Sequence, residues 1–159
     1  RLPAPCSRPA PALPVPPLLP LLPPFAEAPS LRLLRLATSA AGTAPSAGAH
    51  LAAARSALLL QNHGFFQSVN GIVSLALLYK IPLLLLISDR GHFGERDSWQ
   101  TEGGKLTRRV LDALGIVRKD VSRPEGVENE VVAAMTLAQS SLSPVALLLT
   151  RELLWEETA

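Results

Sequence analysis

The sequence predicts an α/β protein built on a three-layer, Rossmann-like parallel sheet with helices on both faces. Three observations predict it. The apolar runs Ala57–Gln61, Leu83–Ile87 and Val145–Thr150 are continuous rather than alternating, as strands buried on both faces are. Helical patterns separate them, giving a strand–helix–strand order. Polar clusters follow the first two runs, at the carboxyl ends where such sheets bind ligands.

The elements follow in order from residue 47. Ala49–Ala54 reads as the end of an alanine-rich helix, and Ala57–Gln61 as a buried strand. Gln67–Tyr79 is a helix whose apolar residues cover most of its circumference, so it packs deeply. Pro82 cannot continue it, and Leu83–Ile87 is the second buried strand. Asp89–Gly104 reads as a long polar loop. Leu106–Leu114 is a helix with Gly115 as its C-cap. Val117–Val121 is a strand kept from the core centre by Arg118, Lys119 and Asp120. Val127–Ser141 is an amphipathic helix, and Val145–Thr150 is the last buried strand.

Before residue 47 the composition differs. Eleven of the 15 prolines lie in residues 1–30, and residues 1–46 show no sustained period. Such a segment recovers little of its ordering entropy by burial, so it is expected to be irregular or disordered. It reads as a proline-rich tail without a role, as a PxxP ligand, or as an out-of-frame translation of GC-rich DNA. The domain proper is then residues 47–159.

Composition excludes several function classes. With 48% hydrophobic residues the chain is not disordered as a whole, and a net charge of +2 argues against nucleic acid as a partner. The single cysteine, Cys6, cannot form an internal disulfide, which makes the cytoplasm the default compartment. Lys80 and Pro82 interrupt the apolar stretch Ile72–Ile87 well short of the ~18 residues of a membrane span. Six prolines in Leu13–Phe25 argue against the apolar region of a signal peptide.

The candidate chemistry lies in two clusters. Gln61, Asn62, His63 and Gly64 follow one strand, and Ser88 to Gly91 follow the next. Gly64 precedes a helix and could cradle an anion, but no Walker lysine or G-x-G-x-x-G accompanies it. His63 could be an acid–base group or could satisfy a loop carbonyl. Asp89 and Arg90 could pair with each other or bind a ligand, while Glu95, Arg96 and Asp97 read as surface charges. His50 and His92 have no partner at metal-ligand spacing, so no metal site is expected. The serines lie outside any G-x-S-x-G context.

The ordered segments AGAHLAAARSALLLQNHG, SVNGIVSLALLYKIPLLLLISDRG, WQTEGG and RRVLDALGI carry more. They resemble the pyrimidine-binding domain of thiamine-diphosphate-dependent 2-oxo acid decarboxylases, chiefly those acting on sulfopyruvate and phosphonopyruvate. The resemblance covers about residues 47–154. It implies a thiamine-diphosphate-binding fold whose partner, a diphosphate-binding subunit, completes a hetero-oligomer. The cofactor would lie across that interface, its Mg²⁺ held by the partner. Gln61, Asn62 and Gly64 would face the cofactor. Asn62, His63 and Arg90 would meet the 2-oxo acid, with His63 as the catalytic candidate.

Three departures from the family pattern qualify this. The family's activating glutamate, nine residues before the glycine matching Gly48, falls on Ser39, and no acid occurs between Glu27 and Asp89. The family's G-x-G-N loop has become Gly64-Phe65-Phe66-Gln67. The GDG motif that binds Mg²⁺ and diphosphate is missing from the sequence. A catalytically dead binding subunit of the same fold, or an unrelated nucleotide-binding domain, are the competing readings. Pro45, inside what should be a helix, is expected to cost ~3 kcal/mol and to misplace the backbone at residue 39.

Overall fold

Every neighbouring pair of strands in the sheet is parallel, and the continuous apolar runs supply its centre. A computed structural model describes residues 8–12, 27 and 31–154 of the chain. The elements are β1 (Arg8–Ala12), β2 (Leu31–Arg35), α1 (Thr43–Leu51), β3 (Ala57–Gln61), α2 (Asn62–Gly71), β4 (Leu83–Ser88), α3 (Ser98–Ala113), β5 (Val117–Val121), α4 (Val127–Ser141), β6 (Pro144–Leu149) and α5 (Arg151–Leu154). A 3₁₀ segment, Ser39–Gly42, leads into α1, and α2 continues as a π-helical stretch, Ile72–Leu77. The strand order is β2-β1-β3-β4-β6-β5.

Within each apolar run, alternate residues face opposite sides. Leu58, Leu60, Leu83, Leu85, Ile87, Ala146 and Leu148 join Phe65, Ile72 and Ala76 of the α2 stretch and Leu111 of α3. Leu59, Leu84, Leu86, Val145, Leu147 and Leu149 join Ala134 and Ala138 of α4. Each fully buried leucine contributes on the order of 1.5–3 kcal/mol, so both layers are strongly held. β5 lies at the sheet's edge, and its Arg118, Lys119 and Asp120 remain outside the core.

Three expectations are corrected. First, residues 1–46 are not irregular throughout. β1 pairs with β2 from Arg8↔Leu31 to Ala12↔Arg35 and meets β3 at Ala12↔Leu59. The stretch Leu13–Phe25 and Cys6 lie outside the described residues. Second, Pro45 does not break its helix. It is the third residue of α1, and the helical backbone runs through it from the 3₁₀ segment Ser39–Gly42 to Leu51. Third, the two helices beside the polar clusters begin early. α2 starts at Asn62 rather than Gln67, and α3 at Ser98 rather than Leu106. The supposed loop Asp89–Gly104 is therefore a loop only as far as Asp97.

Candidate active site

The carboxyl ends of β3 and β4 lie side by side, with Gln61 in register with Ser88. Both polar clusters therefore emerge at one edge, as the sequence implies. Asn62, the first residue of α2, is completely buried between them. Its Nδ2 donates to Asp89 Oδ1 at 3.1 Å and to Thr107 Oγ1 at 2.8 Å. Its Oδ1 accepts the Arg90 backbone N–H at 2.8 Å. Asn62 thus ties together β3, the segment after β4, and α3, and its hydrogen-bonding groups are engaged inside the protein.

Asp89 and Arg90 do not pair with each other. Asp89 is buried, and its Oδ2 lies 2.8 Å from Arg108 Nη2 and 2.9 Å from His92 Nε2. Arg108 also reaches Asp120 Oδ2 of β5 at 2.9 Å. Burial opposes its charge, but the two carboxylates outweigh that and raise its pKa. Arg90 grips Glu95 with a forked contact, Nε to Oε2 at 2.7 Å and Nη2 to Oε1 at 2.5 Å, and reaches Asp97 at 3.0 Å.

Glu95 corrects the surface-charge expectation. Its side chain is only 5% exposed, and it accepts the backbone N–H groups of Gly91, Arg96 and Asp97. The hydrogen bonds from Arg90 are the main reason its pKa falls from 4.5 to about 2. A cleft of about 240 Å³ lies here, lined by Arg90, Gly94, Glu95, Arg96, Asp97 and Arg151. A ligand anion would have to compete with Glu95 and Asp97 for Arg90.

α3 lies across both clusters because it carries two adjacent glycines. A Cβ on Gly104 would collide with Arg90 O and the Gly91 backbone, and one on Gly103 would sit 2.9 Å from His63 Cε1. His63 is half-buried beneath α3, its ring centroid 5.7 Å from that of Trp99 and 6.1 Å from that of Phe66. Its Nδ1 is buried without a partner. Gln61 Oε1 accepts from Gln100 Nε2 at 3.3 Å.

Gly64 has a packing role. A Cβ there would be 2.5 Å from Ser39 Oγ and 3.2 Å from Leu60 Cβ. Ser39 is 1% exposed; its carbonyl accepts from Ser68 Oγ at 2.9 Å, while its own Oγ has no partner. The structure thus brings Gln61, His63, Trp99 and Gln100 together, with Ser39 against Gly64. It places Asn62 behind them as a brace and turns Arg90 onto two carboxylates.

No protein-family model matches the chain. It is 38% identical over 109 residues to sulfopyruvate decarboxylase subunit alpha of Methanococcus maripaludis, covering 69% of this chain and 65% of that protein. It is 36% identical over 110 residues to the subunit of the same name from Methanocaldococcus jannaschii, covering 69% of this chain and 64% of that one. For that of Methanothermobacter thermautotrophicus the identity is 33% over 108 residues, covering 68% and 66%. The chain therefore spans a little under two-thirds of the length of these relatives. Among solved structures, 2-oxoglutarate:ferredoxin oxidoreductase from Magnetococcus marinus superposes with a TM-score of 0.73 at 16% identity. That match covers 93% of this chain and 27% of that one, and it is a likeness of fold.

Proposed function

We propose that residues 47–159 form a partial pyrimidine-binding domain of a thiamine-diphosphate-dependent 2-oxo acid decarboxylase of the sulfopyruvate or phosphonopyruvate kind. A separate diphosphate-binding subunit completes the enzyme. The carrying observation is the 33–38% identity to three sulfopyruvate decarboxylase alpha subunits over about two-thirds of the chain. Subunit alpha in those names favours a hetero-oligomer. Among the described residues no helix is long and apolar enough to cross a membrane; a cytoplasmic enzyme is the corresponding proposal.

The residues fit the cofactor's ring better than its activation. Buried, unpartnered atoms of His63, Gln100 and Ser39 offer hydrogen-bonding positions for a polar heterocycle. Thiamine diphosphate supplies the electron sink for loss of CO₂ from a 2-oxo acid. The activating carboxylate has no counterpart here. Ser39, at the family's glutamate position, is neutral. Asp89, the acid at this edge, is held by Asn62, Arg108 and His92. No proton-transfer step is assigned to this chain, and Ser39 favours a second reading in which it binds cofactor without turnover.

Calorimetry with Mg²⁺ and thiamine diphosphate tests both readings. The chain alone should show no saturable binding, whereas its complex with the diphosphate-binding subunit should bind and release little CO₂ from any 2-oxo acid. A complex that does not bind the cofactor would overturn the proposal. Robust CO₂ release would overturn the inactive reading and the alignment at Ser39.

A further inference from the structure

Two arginines leave the sheet from neighbouring strands. Ser88 and Leu149 pair at the carboxyl ends of β4 and β6, and Arg90 and Arg151 each follow two residues later. Gly94 brings the segment after β4 up to the second of them. It has φ +81°, and a Cβ on it would collide with Arg151 Nη1. The cleft of about 240 Å³ is lined by both arginines and by Arg96, against the two carboxylates of Glu95 and Asp97. Positive charge is therefore in excess at the edge where a parallel sheet takes its ligands.

Gln61, His63 and Gln100 are not among the residues lining this cleft, so it is a second recess. It is joined to the first through Arg90 and Gly91. The Arg90 N–H is held by Asn62, and Gly91 closely approaches the Gln100 carbonyl.

The way Arg90 is held selects the ligand. A guanidinium matches a planar carboxylate best through two parallel N–H groups. On Arg90 that edge, Nε and Nη2, is already taken by Glu95, with Asp97 also on Nη2. These contacts fix the guanidinium and do not use Nη1. Arg151 belongs to a different segment, α5, so a ligand that touches both arginines must span two side chains. Three oxygens in a tetrahedral arrangement can do so, whereas the two oxygens of a carboxylate suit a single fork. The volume is below the ~300 Å³ of the smaller ligand pockets, which fits a compact group.

We propose that this cleft binds a compact tetrahedral oxyanion, a sulfonate, phosphonate or phosphate group, through Arg90 Nη1 and Arg151. The group is either the far end of an acid seated in the first recess or a free oxyanion. The proposal stands without the thiamine diphosphate reading, because it needs only this chain's own arginines.

Amide NMR titration of the full chain at low ionic strength tests it, with methanesulfonate, methylphosphonate and acetate as probes. The two tetrahedral probes should give saturable shifts confined to Gly91–Asp97 and the residues around Arg151. They should bind roughly tenfold or more tightly than acetate. Arg151→Gln should weaken their binding by roughly tenfold or more, and Arg151→Lys, which keeps a charge, should retain part of it. Arg109→Gln, at an exposed arginine of α3, should change nothing. Shifts that do not saturate, or that spread over other basic surfaces, would overturn the proposal. So would equal affinity for acetate, or wild-type affinity in either Arg151 variant with glutamine or, should that fail to fold, an Arg151→Met variant. Sulfopyruvate and inorganic phosphate then separate the two sources. Sulfopyruvate binding more tightly than methanesulfonate, with added shifts at Asn62 and His63, assigns the group to a substrate. Phosphate binding, with sulfopyruvate no tighter than methanesulfonate, assigns it to a free oxyanion.

Discussion

A glutamate placed at position 39 would enter a space that Gly64 already closes. Ser39 Oγ lies against Gly64, and Ser39 is 1% exposed. Ser39→Glu would bury a carboxylate in that packed space, which raises its pKa or displaces the α2 start. We expect the variant complex to gain no CO₂ release and the chain to lose Tm. The reason differs from the one the sequence suggests, since the helical backbone continues through Pro45. A gain of turnover with Tm intact would contradict this. Glu95 allows a second test. Its pKa is depressed from 4.5 to about 2, so its stabilising contribution is fully present above about pH 4.5 and disappears as pH falls through about 2. The Glu95 carboxyl should titrate near 2 by NMR, and Glu95→Gln should flatten the part of the stability–pH curve between those values. A midpoint near 4.5 would mean that the Arg90 fork does not persist in solution.

Helix α3 is positioned by the absence of side chains, which makes its docking sensitive to a single methyl group. Gly104→Ala would press a Cβ onto the backbone of Arg90 and Gly91, where no flexible side chain can yield. A loss of ~1–3 kcal/mol is expected in urea denaturation. Gly48 is the contrasting case: it is exposed within α1, and a Cβ added there would have nothing within 4 Å. Gly48→Ala should stabilise by ~0.5–1 kcal/mol. Similar effects at both sites would argue against the close approach of α3. The same glycines explain what the sequence concealed. Strands β3, β4 and β6 were legible because uninterrupted leucine runs permit burial on both faces. The first turns of α2 and α3 were not, because their buried faces are Asn62 and Gly64, and Gln100, Gly103, Gly104 and Thr107. Those residues are polar or small, so a search for apolar periodicity passes over them. Their spacing in α3, continuing to Leu111, is nevertheless helical, and counting small and polar residues as buried would have found Gln100. The edge and the resemblance were legible at Gln61–Gly64; the division into Asn62 as brace and Gln61–Gln100 as a facing pair required tertiary contacts.

Across the whole molecule, the sheet is unevenly held. β4 and β6 pair over six residues, from Leu83↔Pro144 to Ser88↔Leu149, and both are buried along their full length. β3 pairs with β4 over its entire run, from Ala57↔Leu84 to Gln61↔Ser88. At the other side, β1 meets β3 at Ala12↔Leu59 among the described residues, and β2 reaches the sheet through β1. Pro9 and Pro11 also remove two donors from β1. β2 is an edge strand bordered in the sheet by β1, whereas β4 is central and opening it disrupts both apolar layers. Amide exchange reports such differences directly, since edge segments open locally and central strands exchange only on global unfolding. We expect Leu83–Ser88 and Val145–Leu149 to exchange slowest, with a free energy equal to that of global unfolding. Leu31–Arg35 should exchange at least ~10²-fold faster through local opening, corresponding to a gap of about 2.7 kcal/mol or more. This gradient would make β1 and β2 an addition to a sheet already stable from β3 onward, and a binding site at the ends of β3 and β4 would keep its shape while they open. Equal protection of β2 and β4 would show instead that residues before 36 belong to the same cooperative unit as the core, and that the candidate site depends on them.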